Sequence, residues 1–533
     1  MACYGPYNLW DLHGMWEITI LQALKLRGAE VRHLACDGLY SDCDLFWKAT
    51  QPRHALSCLE CQARVSGLML GMRMEFEWLG RYLTPEEHDQ ARCWVEEIHP
   101  CELPEARFGD WNVGEWVRSS VHSHLRRSTL SLEVPEVEEV YRSYVFSGLV
   151  ACFSLERFLR VYDPQVLFLL SGRLSSTRVA LELARRKGVR VVCHERGLLR
   201  ESVKLFDGSH SLALKPFPDL WRDWGCVPLA PAELDRIQDY MKGREQGRNL
   251  GERCFSPPPG SPVRERIGLS RDRETWVLFV SSEDEVIATP ERSGPFSSQL
   301  EWIEQTVSYV AKHPELDLVI RIHPNIGSQR SIGRNLDQLR EFQELGERLP
   351  KNVFMVMPEE DVSSYSLMDL ASVGLVYISI TGLEMACKGK RVVAAAGAWV
   401  RYLPFVYSVR ERDDYEAILD GLRVPPPEEL TASIERMAYR FAYALYFRWN
   451  IPFPLVKMPD AHSGRLAYAS IDDLQPGRDT NLDRIARILL EGEPVCRPPD
   501  RETRTRPLEA ELDWFRRRGR GEGGRVQDAL RAG

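Results

Sequence analysis

The stretch QVLFLLSGRLSSTRVALELARRKGVRVVCHERG, residues 165–197, decides the fold class. Its apolar run 165–170 predicts a strand buried on both faces, and the polar residues 171–173 predict a loop. A helix over 177–187 and a second strand over 189–193 follow. Strand, helix and strand form a complete βαβ unit, which predicts an α/β fold that binds ligands at the carboxyl ends of its strands.

Similar patterns recur on both sides of this unit. Before it, a helix over 14–27 and a strand over 30–35 are predicted, and 63–160 is predicted to be mostly helical. The strand that should precede the first helix is confined to residues 1–4, so either it is very short or the domain begins upstream. The second series has predicted strands at 276–280, 316–322, 353–356, 374–378 and 391–395, with helices at 299–312, 364–371 and 382–388.

These patterns predict an α/β architecture of two Rossmann-like domains joined by one linker, with a C-terminal helical extension. Residues 245–273 are rich in Pro, Gly, Ser and Arg, which is typical of a linker. The predicted segments are an N-terminal Rossmann-like domain with a helical insertion (1–245), a linker (246–273), a C-terminal Rossmann-like domain (274–430), a helical extension (431–500) and a weakly ordered tail (501–533).

Composition restricts the class of protein. The 533 residues are 44% hydrophobic and 27% charged, which excludes a disordered chain, a collagen and a coiled-coil rod. Lys and Arg number 69 against 77 Asp and Glu, a formal charge of -8, so nucleic acid is not an expected partner. The sequence has no Walker A loop, G-x-G-x-x-G or G-x-S-x-G, which argues against NTPases, dinucleotide oxidoreductases and serine hydrolases.

The sequence predicts a cytoplasmic location. It contains no apolar run of spanning length, and residues 1–6 lack the features of a signal peptide. The stretch Arg516-Arg517-Arg518-Gly519-Arg520 could touch anionic lipid or be solvated, so peripheral contact with the inner face of the membrane stays open.

Two strand ends of the second series could bind phosphate. Arg321-Ile322-His323-Pro324-Asn325 supplies a guanidinium and an imidazole, and Pro324 stiffens the turn that presents them. Ser379-Ile380-Thr381-Gly382-Leu383-Glu384 places hydroxyls and a glycine where a helix begins. In this second motif Glu384 could accept hydrogen bonds from ribose or complement the helix dipole.

The order of these motifs, with Ser363-Ser364-Tyr365-Ser366-Leu367 between them, resembles bacterial capsule polysaccharide biosynthesis proteins. These are GT-B glycosyltransferases that include Kdo transferases and, more distantly, polysialyltransferases and teichoic-acid glycerophosphotransferases. The loop Val280-Ser281-Ser282-Glu283-Asp284-Glu285 also resembles the opening of the family's donor domain. Where these families usually have two successive Ser or Thr residues, this chain has Ser379-Ile380-Thr381.

The resemblance implies a GT-B fold, in which the two Rossmann-like domains face a cleft, with 1–245 as the acceptor domain and 274–430 as the nucleotide-donor domain. It implies a glycosyltransferase that uses a nucleotide sugar, often a CMP-sugar, and a glycan or other hydroxyl acceptor. It implies that His323 and Pro324 meet the nucleotide, Ser379 and Thr381 its phosphate, and Glu384 its ribose. The implied donor-binding set is Arg196, Arg321, His323, Pro324, Ser363, Ser364, Ser379, Thr381, Gly382 and Glu384. No cofactor is expected to be required for transfer. The alternatives are a teichoic-acid-type transferase that uses CDP-glycerol and a non-catalytic nucleotide-binding member of the fold.

An inverting transfer needs a base that takes the proton of the acceptor hydroxyl. His13 and Glu17, followed by Asp11, are the candidates on the N-terminal domain, although capping and packing would also explain His13. Asp284 and Glu285 are candidates on the other side of the cleft. Glu195, beside Arg196, could be a base or the partner of that arginine.

Cys36, Cys43, Cys58 and Cys61 have C-x6-C-x14-C-x2-C spacing. Four thiolates could hold a structural zinc tetrahedrally or bind an Fe–S cluster, or the four residues could be free thiols. A metal here would organise a loop near the cleft and would not take part in transfer.

Overall fold

The computed structural model describes residues 1–46, 53–248, 263–284, 286–327, 335–460 and 463–519. Its strands are β1 (Ala2–Gly5), β2 (Arg32–Ala35), β3 (Phe76–Trp78), β4 (Val166–Leu170), β5 (Arg190–Arg196), β6 (Ser202–Asp207), β7 (Glu274–Phe279), β8 (Leu316–Arg321), β9 (Val353–Val356), β10 (Val373–Val376), β11 (Arg391–Ala394), β12 (Tyr407–Ser408), β13 (Ile451–Pro452), β14 (Val456–Lys457) and β15 (Arg465–Leu466).

Helices cover both sheets. They are α1 (Asp11–Leu26), α2 (Ser57–Gly71), α3 (Pro85–Glu97), α4 (Val113–Leu125), α5 (Pro135–Tyr162), α6 (Ser175–Arg186), α7 (Pro216–Trp224), α8 (Pro231–Glu245), α9 (Val263–Ile267), α10 (Gln299–Ala311), α11 (Pro324–Gly327), α12 (Leu336–Gly346), α13 (Ser364–Leu370), α14 (Thr381–Ala386), α15 (Asp414–Leu422), α16 (Glu428–Tyr443), α17 (Thr480–Glu491), α18 (Arg501–Arg504) and α19 (Glu509–Gly519). Within the described ranges, none of them combines the length and apolarity that crossing a bilayer requires.

The N-terminal sheet has the order β13-β6-β5-β4-β1-β2-β3. The short first strand is central, since β1 pairs in parallel with both β2 and β4. The prediction that 63–160 is helical is wrong at β3, where Phe76 pairs with His33 of β2. A strand of three residues carries too little periodicity to be recognised, and its pairing partner lies far away in the chain.

The C-terminal sheet is entirely parallel, in the order β12-β11-β10-β7-β8-β9. Its central strands consist mostly of buried apolar residues because helices cover both faces; Trp276 and Leu278 of β7 are fully buried, for example. The α/β class and the two Rossmann-like domains are therefore confirmed.

After the C-terminal sheet the chain returns to the N-terminal domain. A π-helical turn, Ala444–Trp449, follows α16, and β13 then pairs antiparallel with β6. Beyond β13, α17 covers α1, where Asp483 forms an ion pair with Arg27. The segment predicted as a helical extension thus packs on both domains.

The prediction of a weakly ordered segment from residue 501 is wrong for 501–519, which form α18 and α19. Glu511 of α19 is fully buried and accepts hydrogen bonds from Arg440 Nε at 3.0 Å and from the backbone N–H of Leu229 at 2.9 Å. Trp514 donates to Asp235 at 2.7 Å. Specific partners on α16 and α8 order a segment whose composition resembles a tail. Residues 520–533 lie outside the described residues.

The carboxyl ends of the two sheets face one another. The loop after β4 contacts the C-terminal domain through residues 211 and 212. The Ser171 carbonyl accepts a hydrogen bond from the backbone N–H of Ser211. The carbonyl of the adjacent Leu212 accepts one from Arg292 Nε of the C-terminal domain at 3.0 Å. Arg126, at the end of α4, forms a buried ion pair with Asp284 after β7. Two Rossmann-like domains with facing ligand-binding edges form the predicted GT-B arrangement.

Candidate functional site

On the N-terminal side of the cleft, His13 lies in the first turn of α1, the helix that follows β1. Its Nε2 is 3.8 Å from Glu195 Oε1 at the end of β5, and its side chain is 15% exposed. The ring lies edge-on to Trp16, with centroids 5.3 Å apart. A partly exposed imidazole beside a carboxylate can accept a proton while the carboxylate balances the charge that forms.

Glu17 lies beneath His13 and is buried. Its Oε1 is 2.9 Å from Nε2 of His194, which is also buried, and the His194 ring lies 5.6 Å from that of His13. The Cβ of any residue other than glycine at position 5 would lie 2.5 Å from Glu17 Oε2, so Gly5 admits this carboxylate under the cleft floor. This arrangement suits a supporting role for Glu17.

The other candidates on this side are also placed by the structure. Asp11 forms an ion pair with Arg64 at 2.7 Å. Arg196 lies at the carboxyl end of β5, the edge that also carries Glu195 and faces the cleft. Thus the structure brings His13, Glu17 and Glu195 together and directs Asp11 toward α2.

On the C-terminal side, Arg321 and His323 follow each other at the end of β8. Arg321 is buried and donates through Nη1 to the Met357 carbonyl at 2.7 Å. Burial, together with the charges of Arg321 and Arg126, lowers the pKa of His323 to about 4. His323 Nδ1 accepts the backbone N–H of Asn325 at 3.1 Å, so in the neutral ring Nε2 carries the proton and is a hydrogen-bond donor.

The hydroxyls of Ser379 and Thr381 lie together in spite of the intervening Ile380. Thr381 Oγ1 donates to Ser379 Oγ at 2.9 Å, and the Thr381 backbone N–H reaches the same oxygen at 3.2 Å. Gly382 packs close to the sheet, since a Cβ there would lie 3.1 Å from Val376 Cγ2. The hydroxyl pair follows β10, on the same edge of the sheet as His323.

Three further residues of the predicted donor-binding set lie near this edge of the sheet: Ser363 and Ser364 precede β10, and Pro324 follows β8. Ser363 and Ser364 are buried at the start of α13, and the Ser363 hydroxyl has no hydrogen-bond partner within the described part of the chain. Pro324 begins α11. These positions surround the carboxyl edge of the sheet, while their contact with a nucleotide stays a prediction.

Glu384 is tied to another helix. It is 3% exposed, and its Oε1 accepts from Arg244 Nε of α8 at 2.7 Å and from the Tyr365 hydroxyl at 3.4 Å. Because these two donors occupy the carboxylate, the predicted contact with ribose would require them to move. That contact therefore stays a prediction.

Asp284 is also occupied. Its Oδ2 forms the ion pair with Arg126, and its Oδ1 accepts from the Ser282 hydroxyl at 2.6 Å. The side chain is fully buried, which suits an interdomain contact better than proton transfer. Glu285 lies outside the described residues.

Glu283 was missed as a candidate. It lines a pocket of about 450 Å³ with Tyr377 and Ile378, between the ends of β7 and β10, where the strand order of the sheet reverses. Open α/β sheets bind ligands at such a switch point. Burial raises the pKa of Glu283 to about 7, and Gln338 Nε2 donates to its Oε2 at 3.2 Å. The signal was present in the acidic run 283–285, but only the fold shows that Glu283 lines the pocket.

The four cysteines of the predicted zinc site line one pocket of about 310 Å³. Burial raises the pKa of the thiols of Cys36, Cys43 and Cys61. No group of three or more His, Cys, Asp or Glu side chains converges as metal ligands in the ranges that the structure covers. The zinc site stays a prediction.

No protein-family model and no curated protein matches the chain. Solved structures similar to it include the Thermosulfurimonas dismutans KpsC beta Kdo 2,4 transferase, at 14% identity and a TM-score of 0.35, covering 58% of this chain and 86% of that one. A UDP-GlcNAc 2-epimerase from Neisseria meningitidis bound to UDP-GlcNAc matches at 12% identity and a TM-score of 0.25, covering 83% and 96%. The calicheamicin glycosyltransferase CalG4 matches at 12% and 0.27, covering 83% and 94%. At these values, the fold assignment rests on the strand orders and facing edges of the chain itself.

Proposed function

We propose that this chain is a glycosyltransferase that moves a sugar from a nucleotide donor on the C-terminal domain to a hydroxyl acceptor on the N-terminal domain. The observation that carries the proposal is the pocket at the switch point between β7 and β10, which contains Glu283. A carboxyl with a pKa of about 7 can donate or accept a hydrogen bond near neutral pH, as recognition of a polyhydroxyl ligand requires.

Two further features support a donor on this side. A neutral His323 with its proton on Nε2 can donate a hydrogen bond to a phosphate. The paired hydroxyls of Ser379 and Thr381 offer further donors at the end of β10, which is separated from β8 by β7. The resemblance of these motifs to capsule polysaccharide biosynthesis proteins favours a CMP-sugar as donor and surface polysaccharide as product.

The mechanism is a single displacement. The acceptor oxygen attacks the anomeric carbon while the bond from that carbon to the nucleotide phosphate oxygen breaks. His13 takes the acceptor proton, and Glu195, 3.8 Å away, balances the imidazolium. The donors around His323 stabilise the charge that develops on the departing phosphate. These steps use side chains alone.

The proposal is tested by measuring transfer from CMP-sugars, UDP-sugars and CDP-glycerol, with a thermal-shift screen against the same nucleotides. We expect His323→Ala to reduce kcat by about 100-fold because one donor to the phosphate is lost, with the melting temperature of the free protein little changed. His88→Ala on α3 is the matched control and should retain full turnover.

Unchanged turnover in His323→Ala would exclude the donor assignment. Transfer from CDP-glycerol alone would replace the proposal by a glycerophosphotransferase. Nucleotide binding without transfer or donor hydrolysis would identify a non-catalytic member of the fold.

A further inference from the structure

Cys58 and Cys61 occupy the first turns of α2 as a Cys-x-x-Cys pair. Residues three apart on a helix lie on one face, which places their side chains next to each other. Cys58 is partly exposed, whereas Cys61 is buried at 6% exposure. A reagent from solution therefore meets Cys58 first.

Arg53 holds a positive charge against the accessible sulfur. Its Nη2 is 2.9 Å from Cys58 Sγ, and its Nη1 donates to the carbonyls of Tyr40 at 2.7 Å and Ser41 at 2.6 Å. These two carbonyl contacts fix the guanidinium. Within the described residues Arg53 forms no ion pair with a carboxylate, so its charge is available to the sulfur. A cation beside a cysteine at a helix N-terminus is the environment of a reactive thiol.

The pocket of about 310 Å³ gives a small molecule room at this sulfur. Its wall is mostly apolar and includes Leu45 and Phe46 as well as both thiols of the pair. Therefore Cys58 combines a route of access, a positive neighbour and a second thiol within the same helical turn.

We infer that Cys58 and Cys61 form a reversible dithiol–disulfide site that exchanges with small disulfides, independently of the proposed transfer reaction. In the first step the Cys58 sulfur bonds to one sulfur of the small disulfide, whose S–S bond breaks and whose other half leaves as a thiolate. In the second step Cys61 bonds to Cys58 and expels the remaining half. The two cysteine protons pass to the two departing thiolates, so the small disulfide is reduced by two electrons to two thiols.

The test uses the full chain and glutathione. The protein is equilibrated with reduced and oxidised glutathione at varied ratios, alkylated and analysed by peptide mass spectrometry. We expect an internal disulfide confined to the Cys58–Cys61 peptide. The exposed Cys93, Cys101 and Cys226 should remain reduced thiols and should therefore be recovered in the alkylated form. Cys61→Ser should accumulate one glutathione on Cys58, and Cys58→Ser should leave Cys61 unmodified.

Arg53→Gln should slow formation of the mixed disulfide at Cys58 by about tenfold, because the cation beside the sulfur is lost. Cys93→Ser is the matched control and should leave the Cys58–Cys61 disulfide unchanged. Equal oxidation of all exposed cysteines, a mixed disulfide that persists on Cys58 in the unsubstituted chain, or an equal rate in Arg53→Gln would overturn the inference. So would one tightly bound zinc per chain that protects both thiols from exchange.

Discussion

Glu283 connects protonation to folding at the scale of one residue. Burial is the main reason that its pKa rises from 4.5 to about 7, and the negative charges of Glu341 and Asp284 raise it further. The native state therefore holds a proton that the unfolded chain releases between these two values. Its contribution to stability is complete below about pH 4.5 and is lost as the pH rises through about 7.

Glu283→Gln removes this titration while keeping a group that can bond to Gln338. We expect the free energy of unfolding of the variant, relative to the unsubstituted chain, to increase between about pH 4.5 and 7 by about 3 kcal/mol. Urea unfolding at a series of pH values measures this difference. The control is Glu347→Gln, which replaces an exposed carboxyl on the same domain. A constant difference for Glu283→Gln would contradict the burial argument.

Residue pairs limit what the sequence can predict about the site. The positions of His323 and Ser379 after strands, and of His13 at the start of the first helix, were predicted from the sequence, because apolar runs predict strands and the segments after them face the ligand edge. Their partners were not: Glu17 meets His194 across 177 residues, and Arg244 meets Glu384 across 140. No local sequence pattern predicts contacts between residues so far apart in the chain. The burial of Glu17, Asp284 and Glu384 therefore could be established only from the structure.

At the scale of elements, α19 is attached by a buried carboxylate. Glu511 is fully buried and binds Arg440 of α16, whose side chain is itself 11% exposed. Removing one member of a buried pair leaves the other charge without compensation, which usually costs more than the pair contributes.

Glu511→Ala should therefore release α19 from α16 and α8. We expect a loss of about 3 kcal/mol in the free energy of unfolding and rapid hydrogen exchange over 509–519, measured by urea titration and mass spectrometry. Asp513→Ala removes an exposed pair with Arg516 on the same helix and should change stability by less than about 0.5 kcal/mol. Unchanged exchange in Glu511→Ala would show that the other contacts of α19, among them the hydrogen bond from Trp514 to Asp235, are enough to hold the helix.

Elements differed in how far the sequence predicted them. The parallel strands β4, β7, β8 and β11 consist mostly of buried apolar residues because both faces of the sheets are covered, and they were predicted within a few residues. The edge strands β3 and β13 have three and two residues and exist because a neighbouring strand pairs with them. A local sequence pattern does not show which distant strand will pair with such a short segment. The composition of 501–533 likewise gave no indication of helix α19.

At the scale of the whole molecule, the ion pair between Arg126 and Asp284 joins the two domains. Both side chains are almost completely buried, at 2% and 0% exposure. Arg126 adopts a positive φ of 53°, which costs free energy for a residue with a side chain and is maintained by the surrounding contacts.

Asp284→Asn should lower the free energy of unfolding by about 3–5 kcal/mol because it leaves a buried guanidinium without its counter-charge. The double variant Arg126→Met with Asp284→Leu should recover most of this loss, since two apolar groups need no compensation. Chemical unfolding of the single and double variants measures both effects. A loss below about 1 kcal/mol in Asp284→Asn would mean that water reaches the pair.

The return of the chain to its first domain has a consequence for synthesis. The N-terminal sheet lacks its edge strand until β13 has been made, and α1 lacks its cover until α17 has been made. A nascent chain that has emerged as far as residue 430 holds an N-terminal domain with an open sheet edge and an uncovered apolar helix, alongside a C-terminal sheet with all six strands. The domain translated first is therefore completed last, and through most of translation its exposed surfaces need protection from aggregation.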